Sequence, residues 1–476
     1  MNWVASIRTL LIALCMVPVA GSAQPVGGIV FHPLGSFEFS WPYSGYTPLI
    51  DRMGRPYVYM ATKQLGVVVF DVSEPMDPFP VDTLTVAAMG GLRATGLAQR
   101  DQTLFVSLGE FTGVTERAGL AILDVSQPEN PQMISRWDSA AFDRGSSTVI
   151  VQDEFAYLGA MEHGVVILNI GRGAPIRFVS SIIPDKLFGS KKHSYHARGL
   201  SLQEDLLLVA YDNGGLRTID VSDKSTPRET GKYAASGIDA EGTIFCNHVC
   251  RVGQRAFCAM DYCGIEVVDV TDPASMQQLA WINPWGCTSQ PPPLGSWNGS
   301  PGHCNEIVFS PEAGALFLSG GDTQVLSLDA AQPQLSGQWG TPDDSTGTWG
   351  VDVFKNTIAL TNVRTPGFPF ISTHGGLQLL RWERTVGASS PDDFPANRFS
   401  PYPNPAGEAA SVYISGTPAN GILRLVDGLG RTAKEWKHLD RGSRALELDR
   451  LPLGIYQLQW LEGNAILARS RLVIAR

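Results

Sequence analysis

Two short phrases hold most of the residues able to do chemistry: Phe245 to Cys250 reads FCNHVC, and His303 to Val308 reads HCNEIV. Imidazole and carboxylate together suit zinc, iron or manganese. Thiols at this density suit either metal or disulfides. The candidate metal set is His196, His248, His303 and Glu306, three histidines and a glutamate spread over 110 residues. No HExxH or other compact ligand spacing accompanies them, and the bland role for each histidine is a hydrogen bond to a nearby backbone carbonyl. No nucleophile elbow, phosphate loop or paired-carboxylate motif is present, so no catalytic residue is assigned. The cofactor stays open, with a divalent metal as the candidate.

Whether the thiols are reduced depends on compartment. The N-terminus places Arg8 ahead of an apolar run from Leu10 to Val19 and then Gly21-Ser22-Ala23. That order is a secretory signal peptide, residues 1–23, cleaved after Ala23. The run is shorter than the roughly 20 residues a spanning helix needs, and no later segment supplies one. Export favours disulfides. Of seven cysteines, Cys15 leaves with the signal, and six remain, at 246, 250, 258, 263, 287 and 304. A hairpin turning at Gly253-Gln254 would set Cys250 opposite Cys258 and Cys246 near Cys263, while Cys287 and Cys304 bracket the longest insertion. The expected pairing is therefore 250–258, 246–263 and 287–304, one of fifteen connectivities. The formal charge of −10 becomes −11 without the signal's arginine, which argues against nucleic acid or an anionic membrane as partner.

The elements that position these residues come from an internal repeat. GVVVFDVSEP, GLAILDVSQPENP, GVVILNIGRGAP, GLRTIDVSDKSTP, GIEVVDVTDP and QVLSLDAAQP carry anchors at Asp71, Asp124, Asn169, Asp220, Asp269 and Asp329. A degenerate seventh, GLQLLRWERT, lies around Trp382. Spacings of 53, 45, 51, 49, 60 and 53 residues give units of about fifty. Each unit reads as four short strands with Gly, Pro, Asn and Asp at the joints, which predicts an all-β, seven-bladed propeller over residues 29–385. The anchor aspartate recurs in a joint, so it is expected to cap a turn.

The recurring G-[VL]-x-[VI]-x-D-[VI]-[ST]-x-P resembles the LVIVD-repeat family, whose repeats build extracellular or surface propellers. The resemblance implies a fold more than an activity. Residues 386–400 break the repeat as a Ser-, Pro- and Asp-rich linker. Beyond them YPNP at 402–405, VDGLGR at 426–431 and LPLGIY at 451–456 resemble the C-terminal sorting domain of the type IX secretion system. That implies a small β-sandwich at 401–476, the type IX machinery as a partner, and delivery through the periplasm to the outer surface or medium.

Loop lengths distinguish the two faces. First-to-second-strand joints such as LQED and VGQR are short, whereas the insertions at 40–46, 110–119, 184–196, 283–304 and 364–376 gather on the opposite face. Insertions on one face mark the binding surface of a repeat protein. Arg198, Trp285, Trp297, Trp349 and Phe368 are the candidate ligand contacts, the aromatics for area and the arginine for an anionic group. Aligned first strands set Asn247-His248-Val249 level with Asn305-Glu306-Ile307 and Arg198-Gly199-Leu200. The leading expectation is an exported binding module for a glycan, peptide or polymer; the alternative is a metal-dependent, lactonase-like hydrolase with its site at the axial mouth.

Overall fold

The computed structural model describes residues 28–110, 116–171, 175–186, 195–234, 245–284, 303–321, 324–340, 346–366, 371–385, 409–414, 421–427, 431–437, 442–448, 450–462 and 465–474. Among them the only helix is a three-residue 3-10 turn, Pro273–Ser275. Six blades are consecutive antiparallel four-stranded sheets. Blade 1 comprises Thr47–Ile50, Tyr57–Thr62, Gly66–Asp71 and Phe79–Thr85; blade 2, Ala94–Arg100, Thr103–Leu108, Ala118–Asp124 and Gln132–Ser139. Blade 3 comprises Thr148–Gln152, Phe155–Gly159, Val165–Asn169 and Arg177–Ile182; blade 4, Gly199–Gln203, Leu206–Ala210, Leu216–Asp220 and Arg228–Tyr233. Blade 5 comprises His248–Val252, Arg255–Ala259, Ile265–Asp269 and Gln277–Ile282; blade 6, Cys304–Ser310, Ala315–Gly320, Val325–Asp329 and Leu335–Trp339.

Blade 7 is built differently. Its strands Gly347–Phe354, Thr357–Val363 and Gly376–Arg384 receive their outer partner from the other end of the chain, Ile29–Glu38. This closing strand runs from Ile29 opposite Arg384 to Glu38 opposite Gly376, with a bulge between Pro33 and Ser36. The first strand of each blade lies beside that of the next, and the seventh lies beside the first. The ring is complete.

Period-two alternation explains why the sheets stack radially. In blade 1, Tyr59, Ala61, Val67 and Val69 pack toward blade 2, whereas Val58, Met60, Val68 and Phe70 pack toward blade 7. Both faces are buried, so the inner strands are nearly all apolar. Seven such clusters, one per blade junction, make up the propeller core among the described residues. Outer strands face neighbours on one side only and alternate, as in Gln277–Ile282.

The anchor residues cap turns. Asp71, Asp124, Asp220, Asp269 and Asp329 accept from the backbone N–H two residues on at 2.7, 2.7, 2.8, 2.9 and 2.9 Å, and Asn169 does so at 3.0 Å. The motif glycine is required by its backbone: at Gly264, φ is +76°, and a Cβ would lie 2.1 Å from the Ile282 carbonyl oxygen.

The cysteine pairing differs from expectation. The hairpin turns at Gly253-Gln254, but Cys250 sits opposite Phe257, and Cys258 opposite Val249. A one-residue offset puts the two thiols on opposite faces of the sheet. Cys250 joins the cluster between blades 5 and 6, and Cys258 that between blades 4 and 5. Cys246, Cys250, Cys258 and Cys304 are free, which corrects the pairings 250–258, 246–263 and 287–304. Cys263 is disulfide-bonded, and Cys287 lies outside the described residues. Burial pushes the Cys250 thiol up to about 12; contact with Cys246 and then burial raise that of Cys258. Thiols held protonated are poor metal ligands.

Toward the C-terminus, Ala409–Ile414 pairs with Gly442–Glu447, and a second sheet orders Thr432–Lys437, Gly421–Val426, Gly454–Glu462 and Ala465–Ile474. Leu446 and Leu448 share one core with Leu423, Leu458, Trp460 and Leu472. The signal segment 1–23 and the linker 386–400 lie outside the described residues, and among the described ones no helix is long and apolar enough to cross a membrane.

Candidate functional site at the axial mouth

One repeated backbone contact sets the entrance. The residue at the joint between second and third strands uses its carbonyl to hold a residue at or just before the start of the next blade's inner strand. Met161 O accepts from Ala197 N at 3.0 Å, Asp212 O from Cys246 N at 3.0 Å, Asp261 O from Cys304 N at 2.7 Å and Gly321 O from Thr348 N at 3.1 Å. Ala197, Cys246, Cys304 and Thr348 are thus equivalent, and so are the residues that follow them: Arg198, Asn247, Asn305 and Trp349. These four side chains form one level of the axial cavity, which has a volume of about 210 Å³. Thr95 and Ser147 continue its polar wall. One residue deeper stand His248 and Glu306, as the strand alignment anticipates.

Four joints carry charged residues, Lys63, Glu110, Asp212 and Asp261, and each is paired. Asp212 contacts Arg198 at 2.5 Å and His196 Nδ1 at 2.7 Å. Asp261 contacts His303 Nε2 at 2.8 Å. Lys63 and Glu110, both buried, meet at 2.7 Å, and Arg93 bridges Glu110 at 3.0 Å to Glu116 at 3.4 Å. Burial lowers the Lys63 ammonium to about 8 against the opposing pull of Glu110. An aromatic path links these pairs: Lys63 lies 4.7 Å from the Tyr46 ring centroid, Tyr46 meets Trp349 edge-on at 5.6 Å, and Trp349 lies 5.9 Å from the His303 ring.

The four proposed metal ligands are not brought together. His196 is engaged by Asp212 and, at 3.6 Å, by Glu162. His303 is held between Asp261 and the Asn305 amide, whose Nδ2 lies 2.8 Å from Nδ1; this assigns the proton to Nε2. His248 bonds to the Ile307 backbone, and Glu306 to Thr47 Oγ1 at 2.8 Å and Val351 N at 3.2 Å. Among the described residues no group of three or more His, Cys, Asp or Glu is arranged to hold a metal. The physical reason is local: each imidazole has a carboxylate or carbonyl of its own within reach. Of the proposed ligand contacts, Arg198 and Trp349 line the cavity, while Trp285, Trp297 and Phe368 lie outside the described residues.

Inside the cavity two titratable groups are held neutral. Burial lowers His248 to about 4 and raises Glu306 to about 8. Thr47 has one hydroxyl proton. Its Oγ1 lies 2.8 Å from Thr95 O, which only accepts, and 2.8 Å from Glu306 Oε1. That single proton is shared between the two acceptors. At the far end of the cavity, Asp352 accepts from Arg52 at 2.6 Å and from Ile50 N at 2.7 Å.

No sequence motif singles out Lys63, Asp212 or Asp261. Their signal is positional: each stands three residues before its repeat's glycine, Gly66, Gly215 and Gly264.

Residues 105–139 and 195–235 match the LVIVD repeat. They fall in blade 2 and in blade 4 with its lead-in. No curated protein matches the chain. Among solved structures the chain is similar to the WD40 β-propeller domain of Doa1, at 12% identity and TM-score 0.49 over 76% of this chain and 99% of that one. It is also similar to the computationally designed Ika8 protein, at 10% identity and TM-score 0.43 over 75% of this chain and 100% of that one.

Proposed function

We propose that this propeller is an exported interaction module whose extracellular ligand, a glycan, peptide or polymer, inserts an end into the axial mouth. The observation that carries this reading is the cavity itself: a pocket of about 210 Å³ ringed by Arg198, Asn247, Asn305 and Trp349, on the face that receives the long insertions. Pockets for whole small molecules run to roughly 300–1,000 Å³, so this volume suits a chain end or a single ring. The hydrolase alternative needs His196, His248, His303 and Glu306 to converge, and each has separate partners.

The test is capture by the purified propeller on glycan and peptide panels, with Trp349→Ala and Asn305→Ala as comparators. Wild type is expected to retain ligands that both variants lose by at least tenfold, while the variants keep their melting temperature within a few degrees. Equal capture by wild type and variants would place binding elsewhere and defeat the reading.

Delivery belongs to the same proposal. The YPNP, VDGLGR and LPLGIY motifs support a role for residues 401–476 as an address read by the type IX machinery. Deleting 401–476 is expected to leave a folded propeller in the periplasm, detected by fractionation of the native host. Unchanged surface or medium levels of the truncated protein would end that assignment.

A further inference from the structure

We infer that the axial mouth selects an uncharged, polyhydroxylated ligand end, a neutral saccharide, and rejects charged ones. This rests on the binding reading above and narrows it. The argument begins with charge. At the entrance, Arg198 is paired with Asp212, Lys63 and Arg93 with Glu110, and His303 with Asp261; at the far end, Arg52 is paired with Asp352. A carboxylate, phosphate or ammonium entering here must compete with an existing partner and leave that partner's buried charge uncompensated, which is costly. A neutral ligand disturbs none of these pairs.

The cavity's own polar groups point the same way. Burial favours the carboxylic acid over the carboxylate at Glu306, which accepts from Thr47 Oγ1 and Val351 N. His248 uses one ring nitrogen on the Ile307 backbone, and its Nδ1 is buried without a hydrogen-bond partner among the described residues. A buried polar atom without a partner is an unmet demand. A hydroxyl group, able to donate and accept, satisfies it without carrying charge. The half-buried Trp349 indole at the same level offers the apolar surface that the C–H face of a sugar ring covers. Asn247 and Asn305 add amide edges to the entrance.

The experiment is a titration of the propeller with hexasaccharides of matched length. Cellohexaose and mannohexaose are the neutral probes, a galacturonic acid hexamer the anionic one, and a glucosamine hexamer the cationic one. At least one neutral hexamer is expected to bind, the charged hexamers at least tenfold more weakly, and Trp349→Ala to lose at least tenfold on the neutral hexamer. His248→Phe, which fills the same space without an acceptor, is expected to weaken the neutral hexamer while preserving the fold. Binding of a charged hexamer as tightly as a neutral one overturns the inference, and so does failure of both neutral hexamers. Either result leaves the broader binding reading intact if the panels still show Trp349-dependent capture of another ligand. Loss of that capture is the separate failure of the broader reading.

Discussion

Removal of Ile29–Glu38 is expected to destroy the closed ring, not merely to loosen one edge. The deleted strand supplies the whole outer ladder of blade 7, from Ile29 opposite Arg384 to Glu38 opposite Gly376. It also contributes Ile29 and Phe31 to the core between blades 6 and 7. Burying these two side chains is worth about 3–6 kcal/mol together, a large fraction of a typical folding stability. Without the strand, Gly376–Arg384 becomes an unpaired edge next to an uncovered apolar cluster, which invites association between copies. Size-exclusion chromatography and thermal melting of the truncated chain should show aggregation or a much lower midpoint. A monomeric truncation with the parental midpoint would mean that the closing strand is dispensable.

The second large effect is expected at Glu306. Its folded-state pKa, about 8, lies above the ordinary carboxylate value, so between roughly pH 4.5 and 8 the folded protein holds a proton that the unfolded chain releases. Stability therefore falls as pH rises through this window, by at most about 1.4 kcal/mol per pH unit from this group. Glu306→Gln reproduces the protonated form: its amide can donate to Thr47 and accept from Val351 N. The charged and titratable neighbours, Asp352 and Arg52 at the far end and His248 in blade 5, stay in place. The variant is expected to match wild type near pH 4.5 and to exceed it increasingly up to pH 8. Denaturant titrations of both proteins along this range give the difference directly, in which the buried Glu266, raised to about 7, cancels. Parallel profiles would show that Glu306 is ionised in the folded state at neutral pH.

The seven-fold repeat was legible because the same physical demand recurs in every unit. An aspartate, or Asn169 in the third unit, caps the turn from the third strand into the fourth, and a positive-φ residue, glycine in most units and Gln324 in the sixth, opens the third strand. The exception is equally informative. In the seventh unit Arg381 stands at the aspartate's place, because the strand beside it arrives from the N-terminus and no turn follows. Degeneracy of that motif was visible; its cause, a borrowed strand, became clear only from the pairing. The cysteines failed for a different reason. Hairpin position was read correctly, but face assignment depends on register to the residue, and a slip of one moved Cys258 away from Cys250. The shared axial level of Arg198, Asn247 and Asn305 followed from strand alignment; the place of Trp349 on it came only from the backbone bridge to Thr348. The convergence of the histidines did not, since the carboxylates that claim them, Asp212 and Asp261, come from joints that carry no motif of their own.

Closure through the N-terminal strand has a kinetic side. His32 meets Glu383 across 351 residues of sequence, whereas successive anchors are about fifty residues apart. Chain entropy makes joining ends over that longer loop costlier by about 1.7 kcal/mol than joining them over one repeat. Blades can accrete on their neighbours through short-range contacts, but the junction between the last blade and the first brings no return until nearly the whole chain is in place. The expected rate-limiting event is this single long-range docking. Until it occurs, the half-made stack presents an apolar face at each end.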